Sequence, residues 1–156
     1  MSAPASEEIA DRVLSHPFFV GIDPTLVHAM VSKAEERTYE VGDMLAHEGT
    51  PADQFFLVFE GKVALEVGAA DHAGITVETI GRGEILGWSW LVSPHRWRFD
   101  ARALKPTTVV AINASAARYA LAAYPAFAYQ FLMKLIPVIA ERLENTRVQL
   151  LDIHGR

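Results

Sequence analysis

Apolar and polar residues alternate with a period of two from Thr38 to Ile112, the spacing of half-buried strands. The alternation predicts short strands over 38–41, 43–48, 54–60, 62–67, 75–80 and 99–112, the last broken at Lys105-Pro106. Turn residues separate them: Val41-Gly42-Asp43, Glu48-Gly49-Thr50-Pro51, Glu60-Gly61-Lys62, Gly68, Gly74 and Gly81-Arg82-Gly83. No helical pattern lies between the strands, which disfavours a βαβ fold and leaves a sandwich, a barrel or a jelly roll.

On either side the period becomes helical. Ser6 is placed to cap a short helix with Ile9, Val13 and Leu14 on its apolar side, and Pro17 stops it. Asp23-Pro24 reads as N-cap and first residue of a second helix. After the strands, Asn113 caps a helix over 114–123, and Pro125 opens a final helix to about Leu151. That helix is apolar nearly all round up to Ala140. Beyond it one stripe persists: Leu132, Ile136, Ile139, Leu143, Thr146, Leu150 and Ile153, spaced 4-3-4-3-4-3. The spacing is a heptad seam and predicts a homodimer through this helix. The alternative is a helix lying on its own sheet. Pro137, inside the segment, removes one helical hydrogen bond.

Composition narrows the function. The 156 residues carry a net charge of −5, against a general nucleic-acid binder. There is no Cys, which excludes a disulfide scaffold, a thiolate zinc site and a cysteine nucleophile, and fits a cytoplasmic location. Residues 2–8 lack the pattern of a signal peptide. Gln130, Lys134, Pro125 and Pro137 interrupt the most apolar stretch, so no membrane span is expected. Charge is unevenly placed. Residues 1–60 hold eleven acidic and three basic side chains, whereas 82–105 hold five basic and two acidic. The second segment reads as a local anion site or a solvated face.

Catalytic constellations are absent. The six His form no H-x-H or H-x-x-x-H pair, so no metal is expected. No Ser lies in a G-x-S-x-G turn, and no Gly-rich phosphate loop occurs. Neither an enzyme nor a resident cofactor is predicted.

The informative segment is 83–103, GEILGWSWLVSPHRWRFDARA. A strand gives way to Gly87, then to one helical turn that presents unpaired N–H groups. Arg96 and Arg98 add donors for phosphate or carboxylate and share one face if the chain there is extended. Trp88, Trp90 and Trp97 either stack on a base or plug the core. The candidate ligand site is therefore Gly87, Trp88, Ser89, Trp90, Arg96, Trp97 and Arg98.

These residues sit within a wider pattern. It comprises His16-Pro17-Phe18-Phe19 with Asp23 and Leu26, Tyr39 to Asp43, Glu48 to Val58, Glu60-Gly61-Lys62-Val63 and Gly83-Glu84-Ile85-Leu86-Gly87. With it the chain resembles, from about His16 to Leu151, the cyclic-nucleotide-binding domain of catabolite-activator and Fnr-type regulators. The resemblance implies a mainly β fold: an eight-stranded jelly roll (double-stranded β-helix) with N-terminal helices and a long C-terminal helix that often dimerises. One domain is then expected over 1–156, with N-terminal helices over 1–37, the jelly roll over 38–112 and C-terminal helices over 113–152.

The family's cassette reads Gly-Glu-x-(Ala/Gly)-Leu, then Pro-Arg-(Ser/Ala)-Ala, its Glu holding the ribose hydroxyl and its Arg the cyclic phosphate. Counting on from Gly87 without a gap puts Trp88 at the Glu position and Trp97 at the Arg position, and a one-residue shift would bring Arg96 or Arg98 to the latter. Weak or no affinity for cAMP and cGMP follows. Only five residues come after Leu151, so direct DNA readout is not expected. Two classes of function stand: a stand-alone module sensing a small anionic, nucleotide-like ligand through 83–103, and a degenerate, non-ligand-binding interaction or structural module acting through its dimer or a partner protein.

Overall fold

The computed structural model describes residues 2–68 and 75–154, with the side chains of 2–6, 149–150 and 153–154 outside that description. Gly74 also lies outside the described residues. Among the described residues eight strands form two four-stranded antiparallel sheets. They are β1 (Glu35–Tyr39), β2 (Met44–Ala46), β3 (Gln54–Glu60), β4 (Lys62–Val67), β5 (Ile75–Gly81), β6 (Ile85–Leu86), β7 (Asp100–Ala103) and β8 (Thr107–Asn113). One sheet runs β1-β8-β3-β6 and the other β2-β7-β4-β5. This is the jelly roll, with helices α1 (Ser2–Leu14) and α2 (Pro24–Met30) before it and α3 (Ala114–Ala123) and α4 (Pro125–His154) after it.

Local chemistry sets several boundaries where the sequence put them. The Asp23 carboxylate accepts the Thr25 N–H at 3.0 Å and caps α2, whose first residue is Pro24. Asn113 caps α3 through the Ala116 N–H at 2.9 Å. Other boundaries differ: β2 is shorter than 43–48, β6 falls outside the expected strands, the 99–112 strand runs as Asp100–Ala103 and Thr107–Asn113, and α4 continues to His154. Ser6 does not cap α1, because the helix already begins at Ser2. β1 opens at Glu35, three residues before the alternation becomes visible, because an edge strand with its charged side chains in solvent has little apolar signature.

The core fills the space between the sheets and continues under the helices. Phe55, Phe56, Leu57 and Val58 of β3 meet Val109 to Ile112 of β8 across an antiparallel register. Four consecutive buried residues on β3 show that both faces of this strand are covered. Phe18 and Phe19 pack edge-on or tilted against Phe131 of α4, which joins the N-terminal segment to the C-terminal helix.

His16 fixes this joint. Its side chain is fully buried; Nε2–H donates to Val58 O at 2.9 Å and Nδ1 accepts the Phe18 N–H at 3.1 Å. Both partners suit the neutral ring, and burial pushes its pKa below the ordinary histidine value, against the carbonyl hydrogen bonds that raise it.

Candidate functional site

β6 pairs with β3 through Phe56↔Leu86 and Leu57↔Ile85, which delivers the chain to Gly87 at the edge of the sheet. Gly87 takes φ 108°, a left-handed value that side chains resist. A Cβ there would lie 2.9 Å from Trp97 Cη2 and 3.3 Å from Phe55 Cβ. The glycine thus serves both the turn and the close approach of an indole. A single 3-10 turn over Ser89–Leu91 follows. Arg118 of α3 donates from Nη1 to Trp90 O at 2.7 Å and holds this turn against the helix.

The segment then splits its side chains between inside and outside. Trp90 is fully buried, stacked on Phe55 with centroids 4.4 Å apart, and its Nε1–H donates to Gly87 O at 3.0 Å. Trp97 is 5% exposed and stacks on Phe56, with Phe99 tilted beside it. Ser89 is buried too, and its hydroxyl has no hydrogen-bond partner among the described residues. Arg96 and Arg98 are exposed. Arg96 Nη1 donates to Gly49 O at 2.7 Å, and the Arg98 guanidinium lies 5.5 Å from the ring centroid of half-buried Trp88. The two arginines do share one side of the chain, and that side is the outer one. The Trp97 indole, between them in sequence, is inside.

Residues that the motif reading did not single out tie α4 to this region. Arg142, buried on α4, donates to Ile85 O and pairs with Glu78 of β5, Nε to Oε2 3.5 Å. Burial pushes Glu78 above the usual carboxylate range while the Arg142 charge opposes this; burial likewise lowers Arg142, against the pull of Glu78, Glu84 and Glu141. A signal existed. Phe131, Leu135, Val138 and Arg142 follow at 4-3-4 spacing, so an arginine continues the stripe that faces the body of the protein.

The heptad seam occupies another side of α4. Leu132, Ile136 (55% exposed) and Leu143 (68%) face solvent, joined by Tyr129 and Met133. Ile139 is half-buried against the core. Half-buried Thr146 donates back to Arg142 O at 3.0 Å. The side chains of Leu150 and Ile153 lie outside the described residues. Among the described residues no helix is long and apolar enough to cross a membrane, and no group of three or more His, Cys, Asp or Glu could hold a metal ion.

Comparison with known proteins bears on this geometry. Residues 36–124, more than half of the chain, match the cyclic nucleotide-binding domain family. The chain is 24% identical over 144 residues to the CRP-like cAMP-activated global transcriptional regulator of Mycobacterium tuberculosis, covering 92% of this chain and 62% of the regulator. It therefore spans less than two thirds of that relative's length. Among solved structures, a protein of Geobacter metallireducens GS-15 assigned to cyclic nucleotide binding superposes with a TM-score of 0.75. The two share 26% identity, over 86% of this chain and 97% of that one. A cyclic nucleotide-binding domain from Methylobacillus flagellatus KT gives a TM-score of 0.74 at 21% identity, over 96% and 84% of the chains, and supports the fold alone.

Proposed function

The chain belongs to the cyclic nucleotide-binding domain family, and from that premise we propose a regulatory interaction module whose nucleotide space is filled by its own aromatic side chains. The observation that carries this reading is Trp97. A gap-free count from Gly87 sets it at the position of the family's phosphate-binding arginine, and its indole packs inside the barrel against Gly87 and Phe56. A cyclic nucleotide bound there would lose a charge-assisted phosphate contact and would have to displace a packed ring. Hydrogen bonds to charged groups contribute about 1.5–3 kcal/mol each, and each 1.4 kcal/mol is about tenfold in affinity.

The output passes through α4. Leu132, Ile136 and Leu143 form an exposed apolar stripe with coiled-coil spacing, and a second copy of the chain is its proposed occupant. Direct DNA binding is no part of the proposal, since a net charge of −5 is unsuited to a phosphate backbone.

A second reading, a sensor of a small anionic ligand, draws support from the cAMP-activated relative in Mycobacterium tuberculosis. Titration calorimetry with cAMP and cGMP separates the two. No saturable heat is expected at about 100 μM ligand, and a dissociation constant of about 1–10 μM would favour the sensor instead. Sedimentation tests the output. A dimer is expected at about 10–50 μM protein, a range suited to a moderate interface, with Ile136→Glu/Leu143→Glu monomeric. A monomeric parent protein over that range would rule the dimer out.

A further inference from the structure

The outer side of the cassette is a surface in its own right. Arg96 and Arg98 are exposed while Trp97 and Phe99 are buried. This alternation in exposure sets the two arginines on the outer side of the segment, two residues apart. Both are held. Arg96 spends one of its donors on Gly49 O, which leaves the rest of the fork available. Arg98 rests over Trp88. The backbone beneath is pinned to the 48–52 turn: Trp97 N–H donates to Thr50 O at 2.9 Å, Gly49 N–H to Trp97 O at 2.8 Å and Ala52 N–H to His95 O at 2.8 Å. His95 itself sits at φ 60°, an uncommon conformation for a residue with a side chain.

Neither arginine forms an ion pair among the described residues. Among the described residues the arginines in ion pairs are Arg12, Arg37, Arg102, Arg142 and Arg147. Asp100, the next residue on that side, accepts the Glu48 N–H at 2.7 Å. Two guanidiniums with no ion pair among the described residues thus stand on this surface, Arg98 over the Trp88 ring and Arg96 on Gly49 O, in a protein that is acidic as a whole. Preorganisation lowers the cost of binding, and Arg with aromatic residues is the composition enriched at protein interfaces.

The spacing and the field select the partner. A lone phosphate on this open surface would be held only by solvent-exposed charges, an arrangement worth little. A nucleic acid would meet the net charge of −5 over a length well beyond the screening distance of about 8 Å. A short extended peptide avoids both problems, because its alternate side chains lie on one side and repeat about every 6.8 Å. We propose that Arg96, Arg98 and Trp88 form a docking site for an extended acidic segment of a partner protein, with carboxylates at alternate positions. The inference rests on the reading of this domain as an interaction module.

The test is titration of the full chain with a peptide of alternating Glu and Thr, followed by calorimetry and by tryptophan fluorescence. The controls are the Lys/Thr counterpart, inorganic phosphate and a single-stranded DNA oligonucleotide. Saturable binding of the Glu/Thr peptide alone is expected, weakened at least tenfold between about 0.05 and 0.5 M NaCl. Arg96→Glu/Arg98→Glu should abolish it with the unfolding transition unchanged. Should the double variant unfold, Arg98→Glu alone leaves the Gly49 contact intact and should still cost at least tenfold in affinity. Trp88→Phe should retain binding by calorimetry. No binding at about 1 mM peptide, a value equivalent to about −4 kcal/mol, would overturn the proposal. Binding insensitive to Arg98→Glu would do the same, as would phosphate or DNA binding as tightly as the peptide. A cAMP heat would count against the interaction-module reading instead, which separates the two failures.

Discussion

Trp97 and Trp88 belong to one short segment and have opposite surroundings. Trp97 is packed between Gly87, Phe56 and Phe99 inside the barrel, whereas Trp88 is half-buried at the rim with an arginine over its ring. Residue type is the same in both cases, so type does not decide the role. The alternation of extended chain decides it, by turning Trp97 and Phe99 inward and Arg96 and Arg98 outward. The inner side of the cassette then contributes to stability, and the outer side is available for recognition. α4 repeats the division, with Phe127, Phe131, Leu135 and Arg142 against the body and Ile136 and Leu143 in solvent.

The contrast breaks if the two tryptophans prove equivalent. Trp97→Ala removes a packed indole and leaves a cavity, so a loss of about 3–5 kcal/mol is expected in denaturant unfolding. Trp88→Ala should cost less than about 1 kcal/mol. Similar losses at both positions would mean that the inner and outer sides of the cassette do not differ energetically.

The same contrast on α4 is sharpened by charge. Arg142→Ala would leave Glu78 buried without its partner and Ile85 O without a donor. Breaking such a pair costs about 3 kcal/mol or more, so the midpoint of unfolding should fall clearly. Arg142→Met, which fills the volume, should recover part of the loss once Glu78→Gln is added. An exposed arginine such as Arg147, paired with Glu144 at the surface, should change stability by less than about 0.5 kcal/mol when replaced by Ala.

The smallest expected effect is that of pH. His16 is neutral when folded, and burial holds its pKa below the ordinary value near 6.5. The unfolded chain therefore binds a proton more readily. The contribution of His16 is fully present above about pH 6.5 and declines as pH falls toward the folded pKa. Urea midpoints measured from pH 7.5 downward should fall in the parent protein and fall less in His16→Gln. Parallel slopes would show that the His16 ring binds protons equally well in the folded and the unfolded chain.

Much of the architecture is local in origin and was legible without coordinates. Short apolar or alternating runs between turn residues marked β3, β4 and β5, and Asp23-Pro24, Asn113 and Pro125 marked helix starts, because strand runs and caps are set by residues a few positions apart. The family resemblance, carried by glycines at turn spacing, was legible for the same reason: positive φ at Gly42, Gly49, Gly61, Gly83 and Gly87 is a local demand. The segment that forms the candidate site was legible as a segment, but the direction of its side chains was not. Whether Trp97 enters the barrel depends on Gly87, Phe55 and Phe56, brought beside it by the pairing of β6 with β3. Arg142 reaches Ile85 across 57 residues and His16 reaches Val58 across 42. Such contacts arise only when distant strands and helices are packed together, because burial and partner choice depend on the whole closed barrel rather than on the spacing of neighbours along the chain.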